Sequence, residues 1–154
     1  MTEPAPLTGD PTQDAKLGPS ETKPLQGGEL LTGISNMIVG MLRERYGRGP
    51  MRAKTYVMDD LIVCVLRDGF TKVEASMDEA GRTEQILEMR RDFQVIMGPH
   101  YRREIEALSG SKVTAFMSQA HLDPDITVEI FIVDPPIDLR AVVETNHSNN
   151  SDDD

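Results

Sequence analysis

The sequence has few of the residue types that stabilise secreted or membrane-embedded proteins. It contains no tryptophan, and its aromatic residues make up only 5% of the chain. The single cysteine, Cys64, cannot form an internal disulfide. Because it lies in an apolar run, we expect a small buried side chain in a reducing compartment. The longest apolar run, Leu61–Leu66, is much shorter than the roughly 20 residues of a membrane-spanning helix. Residues 1–6 lack the basic and apolar regions of a signal peptide, so we expect a cytoplasmic protein that does not insert into a membrane.

The sequence motifs of common enzyme classes are also absent. There is no phosphate-binding glycine loop, no dinucleotide-binding glycine motif and no nucleophile elbow, and no Cys/His set has the spacing of a zinc site. The net charge of −10 argues against nucleic acid as a partner, because a polyanion binds basic surfaces. We therefore expect a protein that is not an enzyme, that uses no cofactor or metal, and that does not bind nucleic acid.

Composition divides the chain into a folded centre and two tails. The first 27 residues are rich in Pro, Thr and Gly, and residues 134–154 end in a polar and acidic run. Both ends lack the apolar density that offsets chain entropy, so we expect a disordered N-terminal tail at 1–27 and a disordered acidic C-terminal tail at 134–154. The remaining residues, 28–133, are numerous enough for one domain with its own core.

Apolar periodicity predicts the element order α-β-β-α-β-β within residues 28–133. Apolar residues recur every three or four positions over Leu30–Tyr46, which predicts a helix that ends at Gly47 and Pro50. Strands are predicted at Lys54–Val57, Leu61–Leu66, Lys112–Ala120 and Ile126–Val133, and a broken helical region at 71–108. This order predicts an α+β fold, in which helices pack on one face of a mainly antiparallel four-stranded sheet.

The helical region at 71–108 contains three local patterns. Thr71 and Glu74 have the spacing of a capping box at the start of a short helix. Gly98-Pro99 predicts a kink or a new helix start, because proline removes a hydrogen bond and crowds the preceding turn. Arg90-Arg91 and Arg102-Arg103 alternate with acidic residues, which is typical of a solvated helix face.

Two strand patterns predict how the sheet is covered. Leu61–Leu66 is apolar on both faces, which predicts a central strand covered on both sides. Strict alternation along Lys112–Ala120 places Val113 on the same face as Ala115. A four-stranded sheet also has two open edges, so a homodimer that protects an edge is expected.

A cluster of basic residues surrounds the turn at Arg48-Gly49-Pro50. Five cations lie close together in an otherwise acidic chain: Arg43, Arg45, Arg48, Arg52 and Lys54. A turn that presents a guanidinium group and a bare backbone N–H can bind an anion, such as bicarbonate or phosphate, or an acidic partner. The alternative is that the cations complement the dipole at the end of the preceding helix. The predicted binding residues are Arg43, Arg48, Gly49 and Arg52.

The loop His121–Asp125 is the second candidate site. His121, Asp123 and Asp125 could ligate a metal, but no cysteine or second histidine lies nearby to complete a zinc set. A histidine–aspartate pair could also act in catalysis, although no nucleophile accompanies it. The alternative is a turn in which the aspartates bond to the local backbone. His121 and Asp123 are therefore predicted only as ligand- or partner-binding residues.

Four motifs occur in a fixed order along the centre of the chain. They are Tyr46–Pro50, Asp60–Cys64, Leu108–Gly110 leading into Val113–Phe116, and His121–Asp125. Together, over about residues 28–133, they resemble the bacterial MpsC-like family, which was first catalogued as a domain of unknown function. That family is named for a Na+-translocating, membrane-potential-generating system whose integral-membrane subunits are linked to inorganic carbon uptake. The resemblance implies no catalytic residue.

The resemblance implies an accessory or regulatory domain that serves a membrane ion or inorganic-carbon transport system. The possible partner is an integral-membrane transport subunit. The alternative, from the basic turn, is a sensor of a small anion such as bicarbonate, phosphate or a nucleotide. An unrecognised enzyme is a third interpretation, and it requires His121 to share a pocket with a carboxylate.

Overall fold

A computed structural model describes residues 23–139 of the 154-residue chain. The helices are α1 (Gly27–Arg45), α2 (Lys72–Glu79) and α3 (Thr83–Ser109). The strands are β1 (Arg52–Met58), β2 (Leu61–Arg67), β3 (Lys112–His121) and β4 (Ile126–Asp134). The predicted order of helices and strands is confirmed, and the helical region at 71–108 is divided into α2 and α3.

The four strands form one antiparallel sheet in the order β1-β2-β4-β3. β1 and β2 form a hairpin around Asp59-Asp60, and β3 and β4 form a second hairpin around residues 122–125. β2 and β4 pair with each other at the centre, so β1 and β3 are the edge strands. The predicted α+β fold class is therefore confirmed. The homodimer expected from these open edges stays a prediction.

The core lies between the helices and one face of the sheet. α1 packs over β1, and α3 packs over β3. In α1 the buried residues Leu30, Ile34 and Ile38 are four positions apart, as the 3.6-residue period requires for one apolar face. The sheet contributes alternate residues, among them Ile62 and Phe131, which are fully buried. One face of the sheet is thus covered, and the same alternation turns the other residues of β2 and β4 away from the helices.

α3 runs without interruption from Thr83 through Pro99 to Ser109, so the new helix start considered at Gly98-Pro99 does not occur. Packing on the sheet explains why the helix continues, since Met97, Tyr101 and Ile105 on both sides of the proline are buried in the core. Gly98 permits close contact with β3, because a Cβ atom there would lie 3.3 Å from the ring of Phe116. Tertiary packing outweighs the one hydrogen bond that proline removes.

The predicted alternation along β3 is wrong at its first residues. Val113 pairs with Val133 and Ala115 pairs with Ile132, so Thr114 is the extra residue of a β-bulge. The bulge turns Val113 to the buried face that Phe116 also occupies, whereas strict alternation places it with Ala115. A single inserted residue has no distinctive composition, so the sequence pattern did not reveal it.

Residues just outside each of the two predicted domain boundaries contact the domain. Leu25 donates its N–H to the carbonyl of Leu108, and Ile137 donates its N–H to the carbonyl of Asp59. Both side chains pack against the core. The rest of the two predicted tails, residues 1–22 and 140–154, lies outside the described residues. Within residues 23–139, no helix combines the length and the apolar content needed to cross a membrane.

The capping box predicted at the start of α2 is present. The Thr71 hydroxyl accepts a hydrogen bond from the Glu74 N–H at 3.1 Å, and the Glu74 carboxylate accepts one from the Thr71 N–H at 3.0 Å. Replacing Thr71 by alanine is expected to lower the free energy of unfolding by about 1 kcal/mol, because one donor at the helix start loses its partner. Urea unfolding measures this change. Thr71→Ser keeps the hydroxyl and is the control, so an equal loss in both variants would contradict the role of the cap.

Candidate functional site

A cavity of about 60 Å³ lies between α1, α3 and the end of the sheet where the turn after α1 meets the β3–β4 loop. Its apolar wall includes Leu42, Phe93, Met97 and Tyr101. Its polar lining includes Arg48, Arg90, Asp125 and Glu129. The cavity is mostly apolar with a few convergent polar groups, but its volume is well below the roughly 300 Å³ at which small-molecule pockets begin.

Three charged side chains form a nearly dry network beside this cavity. Arg90 Nε donates to Glu74 Oε2 at 2.6 Å, and Arg90 Nη1 donates to Asp125 Oδ1 at 2.9 Å. The exposed side-chain fractions of Arg90, Glu74 and Asp125 are 8%, 0% and 10%. Tyr46 Oη donates to the same Glu74 oxygen at 2.8 Å, and the Gly69 N–H donates to Asp125 Oδ2 at 2.8 Å. The network joins α1, α2, α3 and the β3–β4 loop.

Hydrogen bonding keeps the buried pair Arg90 and Glu74 charged. Burial alone raises the pKa of Glu74, but the hydrogen bonds from Arg90 and from the Thr71 backbone outweigh it, so this pKa lies below its ordinary value. Burial alone lowers the pKa of Arg90, but its two carboxylate partners outweigh that effect and raise it. Burial and the hydrogen bond to Glu74 both raise the pKa of Tyr46, so its hydroxyl remains a donor.

Glu129, on β4, is a buried carboxyl group that also lines the cavity. It is 2% exposed, and its Oε2 has no hydrogen-bond partner among the described residues. Burial raises its pKa to about 7. Glu129 is therefore a hydrogen-bonding group that the described part of the chain leaves unsatisfied.

The structure brings the two predicted loops together at this end of the sheet. Arg48 lines the cavity and donates from Nη1 to the Phe70 carbonyl at 3.0 Å. Gly49 packs closely on α1, where a Cβ atom would lie 3.2 Å from the Val39 side chain. The Asp68 N–H donates to the Asp125 carbonyl, which joins the end of β2 to the β3–β4 loop.

The other predicted site residues lie outside the cavity. Arg43 is exposed on α1, and Arg52 forms an exposed ion pair with Asp68 at 3.0 Å. His121 Nδ1 lies 2.7 Å from the carbonyl oxygen of Pro124, and Asp123 is exposed. Within the β3–β4 loop, Asp125 is the residue that lines the cavity.

The interpretation of Arg90 as part of a solvated helix face is wrong, because this side chain is almost fully buried. The sequence did carry a signal. Arg90 lies four residues after Ile86 and three before Phe93, which puts it on the apolar stripe of α3. Glu129 had a similar signal, since it alternates with Phe131 and Val133 on the buried face of β4. When the periodicity of a helix or strand places a charged residue on the buried face, the sequence predicts a buried polar group.

The described residues contain no group of three or more histidine, cysteine, aspartate or glutamate side chains arranged to hold a metal ion.

A family model described as Na+-translocating membrane potential-generating system (MpsC) matches residues 26–135. Comparison with curated proteins and with solved structures gives no significant match. The matched segment contains every described helix and strand, from Gly27 to Asp134.

Proposed function

Because the chain belongs to the family described as Na+-translocating membrane potential-generating system (MpsC), we propose that it is a non-enzymatic accessory or regulatory domain of such a system. The proposed place of action is the cytoplasmic side of a membrane ion or inorganic-carbon transport complex, with an integral-membrane subunit as the partner. The family match over residues 26–135 carries this proposal, since it covers the whole of the described fold.

We place the docking surface at the turn after α1. Arg43, Arg48 and Arg52 are exposed there and lie within one end of the molecule. Arg48 is also tied to the body of the domain through the Phe70 carbonyl, so its guanidinium group is held near the surface in a defined position. A held cation loses less side-chain entropy on binding than a free one, which favours recognition of an acidic segment of the partner.

Arg48→Glu is expected to weaken saturable binding to membranes that contain the partner. The purified chain would be sedimented with inverted membrane vesicles that carry the membrane-embedded subunits of a Na+-translocating system, and with vesicles that lack them. Charge reversal replaces an attraction by a repulsion, so the apparent affinity should fall by about 100-fold or more. Arg103→Glu makes the same change at an exposed position of α3 and should leave binding unchanged. Equal binding of wild type and Arg48→Glu would refute the docking site.

The cavity supports a second candidate function, a sensor of a small anion. Arg48 lines the cavity, so a guanidinium group is available to an anion that enters from this side. The cavity also contains Asp125 and Glu129, and these carboxyl groups oppose a deeply bound anion. A saturable rise in melting temperature with bicarbonate, phosphate or a nucleotide, lost in Arg48→Glu, would favour the sensor. Vesicle binding without any such rise would favour the docking domain.

A further inference from the structure

The face of the sheet opposite the helices has an apolar row that crosses all four strands. Its central row is formed by Tyr56, Val63, Ile130 and Met117, which are cross-strand neighbours from β1 to β3. Tyr56 is 46% exposed and Met117 is 49% exposed. Since no described helix covers this face, these side chains form the centre of an uncovered apolar surface, here called the open face.

The two middle strands stay apolar on both sides of this centre, although one of the flanking rows ends in Lys54 on β1 and Gln119 on β3. Val65 pairs with Val128 on one side, and Leu61 pairs with Ile132 on the other. β2 is thus apolar on both faces, and the sequence predicts a strand of this kind to be covered on both sides. Residues 23–139 cover one side only. A contiguous apolar surface of this kind marks an interaction site, because isolated proteins rarely expose one.

We propose that the open face binds the open face of a second copy of this chain, which gives a sheet-on-sheet homodimer. The remainder of the chain has too few apolar side chains to cover four strands. Residues 1–22 and 140–154 contain only five large apolar residues, Met1, Leu7, Leu17, Val142 and Val143. A second open face is flat, equally wide and equally apolar, so it matches the first without any change of fold.

The charges at the two ends of the β1–β2 hairpin are compatible with a symmetry axis that runs across the strands. Arg52 and Arg67 lie at one end of the β1–β2 hairpin, and Asp59 and Asp60 lie at the other end. An axis that runs across the strands places the basic end of one copy over the acidic end of its partner. This arrangement pairs opposite charges between the two β1–β2 hairpins, and the proposal takes that axis.

The area of the open face corresponds to a weak dimer. Four strands about 4.8 Å apart and seven residues of about 3.3 Å give each face a flat area of roughly 440 Å². The two faces together bury roughly 900 Å² before the relief of the side chains is added, close to the ~1,000 Å² of a specific interface. Contacts of this size dissociate readily, so the dimer should form in a concentration-dependent manner.

Sedimentation equilibrium of the full chain over a concentration series tests the proposal. The expected species is a dimer of twice the chain mass of 17.1 kDa. Tyr56→Glu and Met117→Glu should each raise the dissociation constant about 100-fold, because each variant buries a charge near its own symmetry copy. Val95→Glu is the matched control, since Val95 is 77% exposed on α3, away from the open face, and this variant should dimerise like the wild type.

Three results would overturn the proposal. A chain that stays monomeric at every concentration has no such interface. A dimer that Tyr56→Glu and Met117→Glu leave unchanged uses another surface, such as a sheet edge. A full chain that is monomeric but dimerises once residues 140–154 are deleted uses its own C-terminal segment as the cover. Circular dichroism melting of each variant separates loss of the dimer from loss of the fold.

A charge-reversal pair tests the symmetry axis. Arg67→Glu and Asp60→Lys should each weaken the dimer, because each places like charges opposite one another. The two substitutions together restore opposite charges across the interface and should recover most of the wild-type affinity. A double variant that is as weak as the sum of the single variants would overturn the assigned arrangement.

Discussion

Arg90→Met is expected to lower the free energy of unfolding by about 3–5 kcal/mol at neutral pH, the usual cost of removing one partner of a buried ion pair. Arg90 is the only cation that the structure shows bonded to both Glu74 and Asp125 within residues 23–139. Methionine fills much of the same volume, so the loss comes mainly from the two carboxylates, which stay buried without a counter-charge. Urea unfolding of the variant measures it, with equal slopes required for comparison.

The expected loss depends on pH in a way that identifies its cause. In the wild type the pKa of Glu74 is lowered, so its contribution to stability is present above the ordinary glutamate pKa and is lost as the pH falls. Without Arg90, burial is expected to raise the pKa of Glu74, and protonation then relieves the unpaired charge. The difference between wild type and Arg90→Met should therefore shrink between pH 7 and pH 5.

Arg91→Met is the control for this prediction, because Arg91 is exposed on the next position of α3. It should change the free energy of unfolding by no more than about 0.5 kcal/mol, as is usual for exposed sites. Adding Glu74→Gln to Arg90→Met should recover part of the loss, since one of the two unpaired charges is removed. If Arg90→Met cost no more than Arg91→Met, the network would not stabilise the fold.

The comparison of Arg90 with Arg91 also shows how far the sequence specifies this structure. Apolar spacing predicted every element and the fold class, because burial on one face forces a period that survives in the sequence. A pairwise interpretation of the charge pattern predicts that Arg90 and Arg91 both face solvent, although Arg90 lies on the apolar stripe of α3 and Arg91 does not. Periodicity therefore has priority over local charge alternation when a single residue is placed.

The candidate site depends on long-range contacts that no local pattern encodes. The Arg90–Asp125 ion pair joins residues 35 positions apart, and the bond from Tyr46 to Glu74 joins residues 28 positions apart. The spacing of Glu74 from Thr71 predicts its role in capping α2, but its ion pair with Arg90 depends on the packing of α2 beside α3. Sequence patterns therefore single out the two loops at this end of the sheet, Arg48–Arg52 and His121–Asp125, but not the buried network that lies beside them.

Glu129→Gln is expected to remove a loss of stability that the wild type undergoes between about pH 5 and pH 8. The pKa of Glu129 is raised to about 7 in the folded protein, above its ordinary value of 4.5, so the folded state binds more protons across this range. Stability therefore falls as the pH rises through the range and levels off above it. A rise from 4.5 to about 7 corresponds to about 3 kcal/mol at 1.36 kcal/mol per unit.

The measurement is the free energy of unfolding of wild type and Glu129→Gln at a series of pH values from 5 to 8.5. The two proteins should converge at the acid end, and the variant should become the more stable one, by up to about 3 kcal/mol, at the alkaline end. Cys64, which is close to Glu129, has a pKa raised to about 11 by burial, so it does not titrate in this range. Glu88→Gln, at an exposed position of α3, should follow the wild-type curve. Parallel curves for Glu129→Gln and wild type would show that this carboxyl group has the same pKa in both states, and that the cavity gives it the solvation of bulk water.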